Sequence, residues 1–541
     1  MRRITIRCAA VLAILVGSAF TANAQFLYRH GEHVQLRKST RYLAIRMNPG
    51  VPPSLAAFTS AIESGVPKQI ISEVPFLQSK GIVLIATEVH PVKKDDFPHF
   101  TSAANDIGTE LPVYEIGSTA MVLTDEVLFK LTSPGDQKAM QTIAGFGQIS
   151  ESVNGGFSLR VPKGNSSLDV ANAISEQNKV VYSEPNFILI VNPRPRIPAK
   201  PPKPKPASPA TGFPSDEFFS QQWSFENRGD VGTPGADIHV HSAWASADGA
   251  KTVVAIIDDG VDTSHPDLNP PNSSKIVKPY DAVTGGNDPK PLKWWDRHGT
   301  SCAGVATAMT NNLQGMAGVG YKASIMPIRV ASTATNGGAW ITDTKTIAAG
   351  INWAVNNGAD VINLSWTMDA NPIVEAAILD GVRKGRNGRG TIFVIAAGNV
   401  GGPVEWPASL AATQPVIAVS AINEWNELKT IDSKDGETNW ASNFGKEITV
   451  AAPGVHIFAT NVAGGQDDAT KLYYSGFNGT SSAAPHVAGV AALILSKEPM
   501  LTVVDVKKRI QSTADPIGDP LKFGAGRLNA CKAVHGSNCT I

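Results

Sequence analysis

The chain has 541 residues, more than one hydrophobic core usually organises, so two or more domains are expected. Lys+Arg and Asp+Glu both number 47 and the formal charge is zero, which leaves no electrostatic basis for nucleic acid or an anionic membrane as a partner. In chain order, Met1-Arg2-Arg3 precedes an apolar run from Ala9 to Val16 and an Ala22-Asn23-Ala24 ending. A basic start, an apolar stretch too short to span a bilayer and a small-residue end describe a cleaved secretory signal over 1–24, with an N-terminal anchor as the alternative. No other segment has membrane length. A secreted product, extracellular or periplasmic and without membrane contact after cleavage, is therefore expected.

Residues 25–120 hold strand patterns at Tyr42 to Met47 and Ile82 to Val89 and a helical pattern at Ser54 to Glu63. They fit either a separate small α+β module or an extension of the unit at 121–191. From 121 to 191 the pattern is clearer. Val127 to Leu131 predicts a strand, Asp136 to Phe146 a helix, and Gln148 to Val153 and Phe157 to Val161 two strands. Ser167 to Gln177, with Leu168, Val170, Ala171 and Ile174 on one face, predicts a helix, and Val180 to Val191 a last strand. The order β-α-β-β-α-β is that of a ferredoxin-like unit. Residues 192–214 form a linker whose Pro201-Pro202-Lys203-Pro204-Lys205-Pro206 favours an extended, exposed chain.

From 215 onward apolar strands alternate with small-residue helices. Val361 to Leu364, Ile392 to Ala396 and Val416 to Ser420 predict parallel strands, and Thr344 to Asn356 a helix packed on them. The expected class is α/β, a doubly wound parallel sheet sandwich. Four stretches carry chemistry. Val253-Val254-Ala255-Ile256-Ile257 predicts a buried strand ending in Asp258-Asp259-Gly260, where such sheets bind ligands. Asp296-Arg297-His298-Gly299-Thr300 opens a small-residue helix, and a strand ends in Ala397-Gly398-Asn399. Gly479-Thr480-Ser481 opens an Ala/Val/Leu helix that places Ser481 at a positive helix terminus. Taken singly, each is also an ordinary turn or helix cap.

Together, in the order Asp, His, Asn, Ser, they resemble the signatures of the subtilisin-like serine proteases, the subtilases, with kexin-like features around the Asp and His motifs. The resemblance covers about residues 215–535. It implies a serine endopeptidase in which Ser481 attacks a peptide carbonyl and His298 moves its proton. Asp258 would orient His298, and the Asn399 amide with the Ser481 backbone N–H would form an oxyanion hole. It implies no cofactor for the chemistry, peptide or protein substrates, and a monomer. It also implies that 121–191 is an inhibitory prodomain, so that the enzyme is made as a zymogen opened at or before the linker. Two other classes remain: an inactive subtilase-like scaffold that binds peptides, and a serine-carboxyl peptidase, which would have Glu where His298 stands.

The resemblance further implies a structural Ca²⁺ held by Asp216, Asp267 and Asn312 with the carbonyls of Met309, Gln314 and Met316, in a stretch that is otherwise an Asx-rich turn. Ser365, Trp366 and Thr367 would line the substrate cleft as an edge strand. Glu405 would stand on the pocket floor and favour Lys or Arg before the scissile bond, unless it is solvated or ion-paired. Of the four cysteines, Cys8 lies in the signal, Cys302 is expected buried and inert, and Cys531 and Cys539 are candidates for pairing in an oxidising compartment.

Overall fold

The computed structural model describes residues 25–29, 32–48, 50, 66–71, 74–88, 108–117, 119–177, 179–191, 214–271, 273–335, 338–463 and 472–539. The expected signal, the linker over 192–213 and the helix expected at Ser54 to Glu63 lie outside the described residues.

At the centre of the C-terminal part is a seven-stranded sheet in the order Tyr280–Asp281, Ser324–Arg329, Val253–Asp258, Val361–Leu364, Ile392–Ala396, Ile417–Ile422, Val450–Pro453. Every pairing in it is parallel. Parallel strands need crossovers, and helices on both faces bury them, which is why the inner strands are continuous Val/Ile/Ala runs. Helices His298–Thr307 and Thr480–Lys497 pack together on one face, and Thr344–Asn356 and Pro372–Gly388 on the other. The chain leaves Val253–Asp258 toward one edge and later returns to build the other. Asp258 thus sits at the switch point, where the diverging crossovers open a crevice at the carboxyl ends of the strands.

The N-terminal part contains a four-stranded antiparallel sheet, Gln148–Glu151, Phe157–Arg160, Glu126–Leu131, Val180–Pro185. Helices Gln137–Ala144 and Ser167–Ser175 close its core, with Ile143, Leu159, Ala171 and Ile174 among its buried residues. A second four-stranded sheet runs Val66–Ile71, Ile82–Glu88, Tyr42–Met47, Gly108–Leu111.

The single strand expected over Val180 to Val191 is instead two strands in two sheets. It breaks at Asn186, whose backbone N–H bonds the Glu126 carbonyl. The preceding Pro185 has no N–H to continue a ladder. Beyond the break, Ile188–Val191 enters a six-stranded sheet ordered Ser332–Thr333, Trp340–Asp343, Ile188–Val191, Thr119–Val122, Val113–Ile116, Arg37–Lys38. One side of this strand pairs antiparallel with the C-terminal part, Val191 opposite Trp340. Its other side pairs antiparallel with the N-terminal hairpin, Val191 opposite Thr119. Ile188, Ile190, Val113, Val122 and Ile341 share one buried cluster, so the two parts of the chain have a common core there.

Polar contacts reinforce this junction. Glu184, fully buried, is clasped by the Arg29 guanidinium and accepts from Asn371 Nδ2 at 3.0 Å. Asn371 also caps helix Pro372–Gly388. Asp343 caps Thr344–Asn356 and meets Lys80 Nζ at 3.0 Å and Asn186 Nδ2 at 3.1 Å. Lys345 Nζ lies 2.8 Å from Glu126.

Candidate active site

Asp258 is the last residue of its strand and wholly buried. Its Oδ1 accepts from His298 Nδ1 at 2.8 Å and from the Asp259 backbone N–H at 2.9 Å. Such close approach needs the glycine after the histidine, because a Cβ on Gly299 would collide with the Gly260 carbonyl oxygen and the Asp258 side chain. Asp259 fixes the helix start by accepting from the Gly299 N–H at 2.9 Å. Burial opposes a charge on His298, but the Asp258 carboxylate outweighs it and lifts the imidazole well above its ordinary value. Trp340 and Phe477 both pack edge-on to the imidazole ring, at 5.8 and 5.5 Å between centroids.

Ser481 is in the first turn of Thr480–Lys497 and is 9 % exposed. Its Oγ donates to the Ser365 carbonyl at 2.9 Å. In return Ser365 Oγ donates to the Ser481 carbonyl at 2.9 Å. That carbonyl is available because the residue four positions on is Pro485, which has no N–H to close the helical bond. Cys302, buried as expected and one helical turn after His298, has its Sγ 3.7 Å from the same carbonyl oxygen and 4.0 Å from His298 Nδ1. Burial pushes its thiol up, so it is a neutral neighbour.

Asn399 is fixed from the serine's own helix. Its Oδ1 accepts from the Thr480 backbone N–H at 2.8 Å and from Thr480 Oγ1 at 2.9 Å. Thr480 Oγ1 accepts in turn from the Gly398 N–H at 3.1 Å. With Oδ1 engaged, the Nδ2 donor is the end of the amide left for the cavity beside Ser481. Gly479, at φ 115°, occupies the left-handed region between these groups.

His298, Asn399 and Ser481 line one cavity of about 620 Å³, together with Ser365, Trp366, Thr367 and Glu405. Regular strand structure ends at Leu364, so Ser365 to Thr367 form an irregular wall and not an edge strand. The strand that pairs with an extended segment is Trp340–Asp343, whose four residues are too short a run to stand out in the sequence. Val191 reaches the same cavity. Glu405 Oε2 accepts from Thr367 Oγ1 at 2.9 Å. Asp369, also on the wall, is raised by burial, with the Glu405 charge adding to the effect. Trp340 belongs to no motif, and Thr480 lies inside the Gly479-Thr480-Ser481 motif, which gave no sign of its bond to Asn399.

Away from the cavity, Asp216 and Asp267 are both buried. Asp216 accepts from the Asn311 and Asn312 N–H groups at 2.9 and 3.4 Å, and Asp267 from Asn312 Nδ2 at 2.8 Å and the Met316 N–H at 2.9 Å. The Met309 N–H bonds the Asp267 carbonyl, and the Gln314 N–H bonds Asn312 Oδ1 at 3.0 Å. Burial, with the Asp216 charge adding to it, pushes Asp267 up to about 7. The two buried carboxylates are an acidic pair that suits a divalent cation such as Ca²⁺, although the groups that meet them here are N–H donors and the Asn312 amide would have to turn its oxygen toward the ion. Cys531 and Cys539 are joined in a disulfide. Among the described residues, no helix is long and apolar enough to cross a membrane.

Comparison with known proteins agrees with this geometry. The profile of the Subtilase family matches residues 249–526. A calcium-dependent protease of Nostoc sp. is 36% identical over 360 residues, which is 60% of this chain and 52% of that protein. Thermitase of Thermoactinomyces vulgaris is 34% identical over 322 residues, 59% of this chain and 99% of thermitase. Subtilisin E of Bacillus subtilis is 36% identical over 292 residues, 53% of this chain and 66% of that protein. The chain spans about half the length of the calcium-dependent proteases it matches. Among solved structures, fervidolysin from Fervidobacterium pennivorans aligns with a TM-score of 0.57 at 23% identity, covering 76% of this chain and 61% of that one, a likeness of fold. With a family profile over half its length and a parallel sheet that places Asp258 beside His298, the chain belongs to the subtilase family.

Proposed function

We propose that this protein is a serine endopeptidase acting through an acyl-enzyme. The observation that carries this reading is the Asp258–His298 pair sharing a cavity with Ser481, while the helix of Ser481 holds the Asn399 amide. A rotation of the Ser481 side chain carries Oγ from the Ser365 carbonyl toward His298, which takes its proton as Oγ attacks the scissile carbonyl. Asp258 orients the imidazole and stabilises the imidazolium. The Asn399 Nδ2 and the Ser481 N–H bind the oxyanion, and His298 then protonates the leaving amine. Labelling with a peptidyl phosphonate tests this. Wild type should be labelled and Ser481→Ala should not; an unlabelled, folded wild type would favour the inactive scaffold.

In this reading residues 25–191 are an inhibitory propeptide, exported behind the signal at 1–24 and separated at or before the linker. The support is that Ile188–Val191 lies along Trp340–Asp343 as a bound peptide would, with Val191 at the cavity. Glu405 and Asp369 make the cavity acidic and favour Lys or Arg before the scissile bond. Glu405→Ala should reduce the preference for basic over aromatic residues about tenfold; an unchanged ratio would remove Glu405 from specificity. Ca²⁺ would be held by Asp216, Asp267 and Asn312 with backbone carbonyls from the loop of Met309, Gln314 and Met316, and would stabilise the fold without taking part in the chemistry.

A further inference from the structure

One loop of the C-terminal part closes around a positive charge. The Lys429 side chain and the Asp435 carboxylate are both wholly buried. The ammonium donates to the Thr430 carbonyl, to Ser433 Oγ at 3.1 Å and to the Glu437 carbonyl at 2.5 Å, and lies 3.1 Å from Asp435 Oδ1. It also stands over the Trp440 ring, 5.4 Å from its centre. Four oxygens thus share the three N–H donors of one ammonium, which is a coordination shell and more than an ion pair.

The shell comes from one short run of chain. Ser433, Asp435 and Glu437 are alternate residues, and Gly436, at φ 80°, makes the turn before the Glu437 carbonyl. Calcium loops supply their oxygens in the same way, from alternate positions and from a carbonyl just past a turning glycine. The oxygens are also fixed from outside. Asp435 accepts from Asn423 Nδ2 and from the Glu437 N–H, each at 3.1 Å, and Ser433 Oγ accepts from the Thr430 N–H at 3.1 Å. The shell carries one carboxylate and four oxygens. That suits a monovalent ion of ammonium size, whereas Ca²⁺ takes about six to eight oxygens.

The far side of the shell reaches the catalytic cavity. The Glu437 carboxylate accepts from Trp440 Nε1 at 2.8 Å and from Asn478 Nδ2 at 2.7 Å, with the His456 ring 3.4 Å away. Trp440 and Asn478 both line the cavity that holds Ser481. A cation attached to the chain cannot dissociate, so this wall keeps its charge at any salt concentration.

We propose that residues 430–437 form a monovalent-cation loop whose ion is the chain's own Lys429 ammonium, and that shortening this side chain opens a site for free ammonium or potassium.

The test uses the signal-free precursor carrying Ser481→Ala, which does not cut itself in the endopeptidase reading. In tetramethylammonium chloride, whose cation is too large for the shell, adding Lys429→Ala should lower Tm by about 5–10 °C. The amides of Thr430, Ser433 and Glu437 should exchange faster. Ammonium or potassium chloride at about 0.5 M should restore at least half of the Tm and of the protection, with a saturating dose response. The parent protein should show no such difference between salts. Adding Asp435→Asn to Lys429→Ala should abolish the rescue. Lys429→Gln fills the shell with a neutral amide and should lower Tm in every salt, which keeps the test open where Lys429→Ala does not fold. A Tm at the parent value in Lys429→Ala or Lys429→Gln, no rescue by either ion, or rescue by calcium alone overturns the proposal.

Discussion

Thr480 shows how much a single side chain decides in this site. Its backbone N–H and Oγ both bond the Asn399 oxygen, so the amide cannot flip without losing both. Thr480→Val keeps the shape and the backbone bond but removes the hydroxyl. A net hydrogen bond of about 1 kcal/mol predicts kcat lower by about five- to tenfold with KM nearly unchanged; an unchanged kcat in a folded variant would separate Asn399 from catalysis. Asp258, His298, Asn399 and Ser481 were legible in the sequence because each lies within two residues of a glycine at the end of a strand or the start of a helix. Glu437 was not, because it is one polar residue in a polar loop and its partners at 456 and 478 meet it only in three dimensions.

Elements were readable where their pattern was local. Helix Ser167–Ser175 shows Leu168, Val170, Ala171 and Ile174 on one face, and the strand Ile392–Ala396 is a buried apolar run. Ile188–Val191 was merged into one predicted strand over Val180 to Val191, because its pairing partners, Trp340–Asp343 and Thr119–Val122, are far away in sequence. That strand is bonded on both sides, so it is held more firmly than a peptide lying at a sheet edge. The Arg29–Glu184 clasp closes the same junction. Arg29→Ala leaves a buried carboxylate without its cation, at a cost of about 3–5 kcal/mol. It should expose the Ile188–Val191 amides to hydrogen exchange and shorten the lag before full activity. An unchanged lag and unchanged protection would mean the Arg29–Glu184 clasp does not hold the strand in place.

The N-terminal sheets and the parallel-sheet domain share a core through Ile188, Ile190 and Ile341, so the two halves of the chain stabilise each other. A bound Ca²⁺ would add stability to the C-terminal part, away from that shared core. At an ion concentration about 100-fold above Kd, chelation should lower Tm by about 5–10 °C, and Asp267→Asn should abolish that difference. The same Tm with and without chelator in the wild type would contradict the cation reading.

In the proposed zymogen, Ser481 is a nucleophile held in check by the chain's own residues 25–191. Intact mass and N-terminal sequencing of the signal-free precursor, beside its Ser481→Ala variant, put this to the test. Only the wild type should lose its N-terminal third, with the new terminus at or before the proline-rich linker. Loss of the same segment from both proteins, at the same rate and with no other protease present, would show that Ser481 is not the nucleophile that opens the chain.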